Sequence, residues 1–135
     1  MKYMLMIMGD QATYDSMSGK GGSSVWTEAD MRAMFAHMGA LNDELAESGE
    51  LVDANGLSAP SEAKLVTAKD GKPLVSDGPY GESKEVLAGY WILDVASEER
   101  AIEIAAKAYS CPVPEGVVDP PIVVQPVQEG GGSEM

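Results

Sequence analysis

The densest group of reactive side chains is the segment Asp77–Glu85, which reads Asp-Gly-Pro-Tyr-Gly-Glu-Ser-Lys-Glu. Pro79 keeps the residue before it out of the helical region, so we expect a sharp turn at the end of a strand. Such a turn would present the carboxylate of Asp77 for acid–base chemistry. The side chains expected to contact a substrate are Tyr80, Glu82 and Lys84. An ordinary surface turn with a solvated charge run fits the same residues, so both interpretations stay open here.

The second candidate is His37, the one histidine of the chain. It lies at the edge of the apolar stripe of a predicted helix, where an imidazole can be half-buried and titrate near neutral pH. Those properties suit a general base. A boundary histidine that only borders the core is the alternative interpretation.

Other reactive groups predict little chemistry. Cys111 comes just after a predicted helix end, where the negative end of the helix dipole raises the pKa of a thiol and makes it unreactive. One histidine, one cysteine and scattered carboxylates lack the spacing of metal ligands. The glycine-rich stretch 19–24 lacks the order of residues in a phosphate-binding loop. We therefore expect neither a metal nor a cofactor.

Length and charge restrict the class of protein. The chain has 135 residues, enough for one domain, which we place at residues 1–128, followed by a disordered Gly-rich tail at 129–135. Its net charge of −13 disfavours nucleic acid and membrane partners and is compatible with a basic protein partner. One cysteine, and no apolar run long enough for a signal peptide or membrane span, predict a cytoplasmic protein.

Two helices are predicted. The first begins after the N-cap residue Thr27 and ends at Gly49, and the second begins after Ser97 and ends before Pro112. Residues 9–26 show no periodicity and are predicted to be a structureless loop. The first helix is expected to bury one apolar stripe: Met31, Met34, Phe35, Met38, Leu41 and Leu45.

Alternation and turn signals predict the strands. The pair Asp70-Gly71 indicates a hairpin. The order of elements is typical of an α+β, ferredoxin-like (split βαβ) sandwich with an antiparallel sheet and an extra hairpin. The predicted strands are Lys2–Met8, Glu50–Leu57, Ala63–Ala68, Pro73–Ser76, Val86–Val95 and Ile122–Val127.

The first and fifth of these strands are apolar on both faces. Two helices can cover only one face of the sheet, and a large exposed apolar patch is rare on a soluble monomer. The pattern therefore predicts a homodimer in which the uncovered sheet face packs on its copy about a two-fold axis.

The segment from Asp77 to Tyr90 resembles the signature of the YCII-related family, in its DGPF-motif branch. That branch has Asp-Gly-Pro-Phe-Ala-Glu-Thr-Lys-Glu followed by a Gly-aromatic strand, and this chain departs at Tyr80, Gly81 and Ser83. The opening Met-Lys-Tyr-Met-Leu is also similar, so the resemblance extends over residues 1–128. It implies a dimeric α/β barrel with a pocket between helix and sheet. It further implies a catalytic His–Asp pair, carried here by Asp77 with His37, although related branches place the histidine nearer the start of the first helix.

Three functions follow as hypotheses. In an enzyme (a lyase, a hydrolase or a cofactor-free oxidase of an activated ring), a small organic substrate would bind between the first helix and the sheet. Asp77 would orient the imidazole of His37, which would transfer the proton. A regulatory module is the second hypothesis, since the family is often encoded beside alternative sigma factors of RNA polymerase. A ligand-binding dimer without catalysis is the third.

Overall fold

A computed structural model of the chain describes residues 1–18, 26–78 and 84–128. Within these ranges the strands are Lys2–Gly9 (β1), Leu51–Gly56 (β2), Lys64–Lys69 (β3), Lys72–Asp77 (β4), Val86–Asp94 (β5) and Val123–Pro126 (β6). The α-helices are Gln11–Ser18 (α1), Glu28–Ser48 (α2) and Glu98–Tyr109 (α3). A short 3₁₀ turn, Pro60–Glu62, precedes β3. The middle of the Asp77–Glu85 segment, with Tyr80 and Glu82, and the predicted tail lie outside the described residues.

Four strands form one sheet in the order β2-β5-β1-β6, with every neighbouring pair antiparallel. The buried residues of α2 and α3 join those of β1 and β5 in a single core, so both helices cover the same face. This confirms a mixed α+β chain with antiparallel sheets, and it is compatible with the ferredoxin-like fold. β6 lies at an edge, where Pro126 needs no donor for a further strand.

The helix ends follow the sequence. The Thr27 side chain accepts from the backbone of Asp30, whose own carboxylate accepts from the Thr27 backbone, which completes a capping box. Gly49 ends α2 in the left-handed conformation at φ 81°, where glycine has no steric penalty. The Ser97 side chain caps α3 by accepting from the Arg100 backbone N–H, without the reciprocal bond of a capping box.

An ion pair fixes the end of α2 to the start of α3. Arg100 donates from Nε and Nη2 to the two carboxylate oxygens of Glu50, each at 2.9 Å. The side chains are 29% and 16% exposed, so solvent screens the pair little. These bonds lower the pKa of Glu50 to about 2. The two-bond geometry holds the packed end of the helical layer together.

The prediction of a structureless loop over residues 9–26 was wrong for Gln11–Ser18, which form α1. The Asp10 carboxylate starts this helix by accepting from the backbone N–H of Thr13 at 2.8 Å and from its hydroxyl at 2.7 Å. Gln11 then donates to the Asp15 carboxylate one turn on, at 2.9 Å. A helix of two turns is too short to show a clear apolar period, which is why the sequence did not reveal it.

The predicted apolar stripe of α2 is only half correct. Leu41 and Leu45 are buried, whereas Met31, Met34 and Met38 are partly exposed and Phe35 is 62% exposed. The stripe therefore enters the core in the C-terminal half of the helix alone. On α3, the apolar residues Ile102 and Tyr109 are likewise exposed.

The Asp70-Gly71 turn forms as predicted, with both residues at positive φ, and pairs β3 with β4 in a sheet of their own. Every residue of both strands is exposed. The apolar side chains that the hairpin exposes are Leu65, Val66, Leu74 and Val75.

The face of the main sheet away from the helices is apolar along β1. Met4 and Met6 alternate with the buried core residues Tyr3 and Leu5 and are partly exposed. Tyr90, the register partner of Met6 on β5, is also partly exposed. No helix in the described ranges has the length and apolar composition that would carry it across a lipid bilayer.

Candidate functional site

The main cavity, of about 670 Å³, lies between the N-terminal half of α2 and the helix-covered face of the sheet. α1 and the connection from Cys111 to Ile122 close its sides. Five methionines and several aromatic rings give it an apolar lining. The lining residues that matter below are Asp10, Tyr14, Met17, Trp26, Met31, Met34, Phe35, Met38, Asn42, Glu85, Trp91, Tyr109, Cys111 and Asp119.

The floor of the cavity is fixed by a hydrogen bond between helix and sheet. The indole Nε1 of Trp91, on β5, donates to the Asn42 side-chain oxygen at 2.7 Å. Trp91 is almost fully buried, and this bond satisfies its one polar atom. Along α2, Asn42 lies where the packed half of the helix meets the half above the cavity.

α1 is held beside the cavity by two contacts. The Tyr14 hydroxyl donates to the Leu57 carbonyl at 2.9 Å and lies 3.4 Å from that of Ala88. Burial raises the pKa of Tyr14, so it remains a neutral donor. At the other contact, the Gln11 side-chain oxygen accepts from the Ser61 backbone at 2.9 Å. These bonds make α1 a fixed wall.

The opposite wall contains two titratable groups that are partly removed from water. Burial raises the pKa of the Cys111 thiol, and the nearby Asp119 charge raises it further. The thiol therefore stays protonated, as the sequence predicted, although the main cause is burial. Burial also raises the pKa of Asp119, whose backbone carbonyl accepts from the Tyr109 hydroxyl at 3.1 Å. Asp119 thus presents a poorly solvated carboxyl group at the cavity wall.

Asp77 lies away from this cavity, at the end of β4. Its carboxylate accepts from Lys64 Nζ, its partner across the hairpin, at 2.6 Å. The side chain is 80% exposed. The Lys64 hydrogen bond and charge lower the pKa of Asp77, which keeps it ionised. An exposed, ion-paired carboxylate is poorly suited to exchanging protons near neutral pH.

His37 also does not line the main cavity. Its Nε2 lies 2.8 Å from the Lys107 carbonyl oxygen. Because a carbonyl only accepts, Nε2 must carry the proton, and the ring satisfies one of the last free carbonyls of α3. Beside it, Lys107 Nζ donates to Glu44 at 2.7 Å. His37 and these residues border a separate depression of about 290 Å³ between α2 and α3.

Asp77 and His37 are therefore not brought together. No hydrogen bond joins Asp77 to His37, and each has a different partner. Lys84 is exposed and does not line the cavity, whereas its neighbour Glu85 does. Among the described residues, no three His, Cys, Asp or Glu side chains are close enough together to hold a metal ion.

Sequence reasoning located the cavity, between the first helix and the sheet, but missed the polar groups that line it. Asn42 carried a signal, since it lies one helical turn from both Met38 and Leu45, on the apolar stripe of the predicted helix. Tyr14 and Asp119 carried none, because they lie in segments without periodicity. Only the folded chain brings Asp10, Asn42 and Asp119 to one cavity.

The fold and site define a small α+β domain whose antiparallel sheet is covered on one face by helices, with a ligand-sized cavity under the longer one. Comparison with known families agrees: the model of the YCII-related domain matches residues 1–119, and the chain belongs to that family. It is 28% identical, over 83 residues, to an uncharacterized protein of Rhizobium meliloti (strain 1021). That match covers 62% of this chain and 67% of the relative.

Proposed function

We propose that the protein binds a small, largely apolar organic molecule in the cavity beneath the N-terminal half of α2. The observation that carries this proposal is the divided stripe of α2. Met31, Met34 and Phe35 continue the periodicity of Leu41 and Leu45 but line a cavity of about 670 Å³ instead of joining the buried core. Apolar side chains left facing a space of this size are typical of ligand pockets.

The composition of the lining supports the same conclusion. Methionine is unbranched and polarizable, so it adapts to ligands of different shape. The polar groups are few, and some of them are already engaged: Asn42 with Trp91, and Tyr14 with Leu57. Such a pocket selects ligands by apolar contact and leaves one or two polar groups to orient them.

Binding has better support than the acid–base mechanism that the sequence indicated. That mechanism needs Asp77 and His37 at one substrate, and the two side chains have separate partners on different elements. A protonated thiol at Cys111 is also a weak nucleophile. We therefore propose a ligand-binding function and assign no reaction to it.

The test uses N-phenyl-1-naphthylamine, a neutral apolar dye whose emission rises when it leaves water. We expect saturable binding to the wild type. Met34→Glu places a charge on the cavity wall and should weaken binding about tenfold or more, because an unpaired charge strongly disfavours apolar contact. The matched control is Ala33→Glu, on the exposed side of the same turn, which should bind like the wild type. Absence of saturable binding, or equal losses in the two variants, would contradict the proposal.

We further propose that the chain belongs to the DGPF-motif branch of the family. The support is the sequence Asp77-Gly78-Pro79 followed by Glu82, Lys84 and Glu85, which keeps the branch pattern. A comparison of this chain with many sequences of the family tests this placement. If the chain groups outside the branch, the placement is wrong.

We also propose that two copies pack through the open sheet face. The support is the alternation on β1, where Met4 and Met6 face away from the core. Sedimentation should give twice the 14.2 kDa of one chain. Met6→Glu should yield the single-chain mass, while Val66→Glu, on the exposed hairpin, should not. A wild type that sediments as a single chain at micromolar concentration would refute this proposal.

A further inference from the structure

Among the described residues, all the charged side chains that line the cavity are acidic. Its ionisable acids are Asp10, Glu85 and Asp119, and no lysine, arginine or histidine from the described ranges lines it. The chain as a whole carries a net charge of −13. Carboxylates that face an apolar space act over a longer range than carboxylates in water, because the low dielectric screens them less.

The three carboxylates differ in what they already bind. Asp10 is occupied by the start of α1, where it accepts from the Thr13 backbone and hydroxyl. Glu85 is exposed and can remain hydrated. The Asp119 carboxylate is partly buried, and among the described residues it has neither a hydrogen bond nor an ion pair. Of these three acids, Asp119 is therefore the one that is partly buried and has no partner for its carboxylate among the described residues.

The Asp119 carboxylate has lost part of its hydration, and no described residue supplies a hydrogen bond in its place. Its raised pKa records that loss. A cation placed beside it would restore the missing interaction, and a hydrogen-bonded ion pair away from solvent is stronger than the same pair at the surface. A second carboxylate or a phosphate would instead add repulsion.

The aromatic rings of the cavity favour the same kind of ligand. Trp26, Phe35 and Tyr109 all line it. The face of an aromatic ring attracts a cation even where the ring is partly exposed to water, as Phe35 and Tyr109 are. Rings and carboxylate together are the groups that bind an ammonium ion attached to an apolar body.

We propose that the cavity selects organic cations, in particular protonated amines with an apolar body, and that Asp119 pairs with the ammonium group. The apolar body lies against Met31, Met34 and Met38. This inference rests on the proposed ligand-binding function and adds the charge of the ligand to it.

The experiment compares three ligands of nearly the same shape: 4-phenylbutylamine, 4-phenylbutanol and 4-phenylbutyrate. Both tryptophans of the chain, Trp26 and Trp91, line the cavity, so quenching of their emission follows binding directly. We expect the amine to bind about tenfold more tightly than the alcohol, and the carboxylate to bind most weakly. Asp119→Asn should remove the preference for the amine over the alcohol. The control Glu99→Gln removes an exposed acid on α3 outside the cavity and should keep the preference.

The outcomes separate the two proposals. If amine and alcohol bind equally, if the carboxylate binds most tightly, or if Asp119→Asn keeps the preference, the selection of cations by Asp119 is wrong while the apolar site stands. If none of the three ligands nor the neutral naphthylamine dye binds, both proposals are wrong.

Discussion

The same apolar pattern runs along both halves of α2, but the two halves differ in what covers their apolar residues. In the C-terminal half, Leu41 and Leu45 are 4% and 0% exposed. In the N-terminal half, Phe35 is 62% exposed, and its methionine neighbours line a cavity. A helical period shows which face of a helix is apolar. It does not show whether protein or ligand covers that face.

The surroundings of the two halves explain the difference. The C-terminal half shares a buried core with β1, β5 and α3. The Glu50–Arg100 pair closes this end of the layer. The N-terminal half faces α1 and the connection from Cys111 to Ile122, which stand apart and leave the space open.

The largest effect on stability is expected in the packed C-terminal half of α2. Leu45→Ala should lower the free energy of unfolding by about 3 kcal/mol, because it leaves a hole in a fully buried core. Met34→Ala, in the other half, should cost less than about 1 kcal/mol, because its side chain borders a space that already exists. Urea unfolding followed by circular dichroism measures both. Equal losses would mean that the two halves are packed alike.

A smaller effect is expected at the ion pair that closes the packed half. Glu50→Gln should cost about 2 kcal/mol near neutral pH, because it leaves the partly buried Arg100 without its charged partner. The pKa of Glu50 is about 2 in the folded protein and 4.5 ordinarily. The pair therefore stabilises fully above about pH 4.5, and its contribution disappears as the pH falls toward about 2.

The measurement is the difference in unfolding free energy between wild type and Glu50→Gln across that pH range. The difference should shrink steadily as the solution becomes more acidic. A difference that stays constant would show that Glu50 stabilises through packing and not through its charge.

A smaller effect than at Glu50 is expected at His37, on the side of α2 that faces α3. His37→Ala should cost about 1 kcal/mol, the contribution of one hydrogen bond to the end of α3. Binding of the naphthylamine dye should not change, because His37 does not line the main cavity. Thermal unfolding and a dye titration on the same sample test both parts. Loss of dye binding without a loss of stability would show that His37 contributes to the binding site.

Much of the fold was predictable from local signals. Thr27 and Gly49 mark the ends of α2, and Asp70-Gly71 marks the hairpin, because capping and positive φ depend on a few neighbouring atoms. The family was also predictable, since the Asp-Gly-Pro segment resembles it and the YCII-related model matches residues 1–119. α1 was not predicted, because one N-cap residue and two helical turns give too weak a sequence pattern.

The position of the candidate site could be predicted, but the residues that form it could not. The family resemblance implied a pocket between the first helix and the sheet, and the cavity lies there. The sequence singled out Asp77 and His37 because those residue types can exchange protons. Their partners, Lys64 across a hairpin and the Lys107 carbonyl on another helix, are set by long-range packing, to which spacing along the chain gives no access.

By itself, the sequence determined most of the secondary-structure elements, the caps of α2 and α3, the family and the strongly acidic character of the protein, because each depends on neighbouring residues or on composition. Only the tertiary structure decided which half of α2 is buried and that the Asp119 carboxylate at the cavity has no hydrogen-bonding partner among the described residues. Both depend on how far α1 and the Cys111–Ile122 connection stand from that helix, and such distances arise when segments remote in sequence pack together.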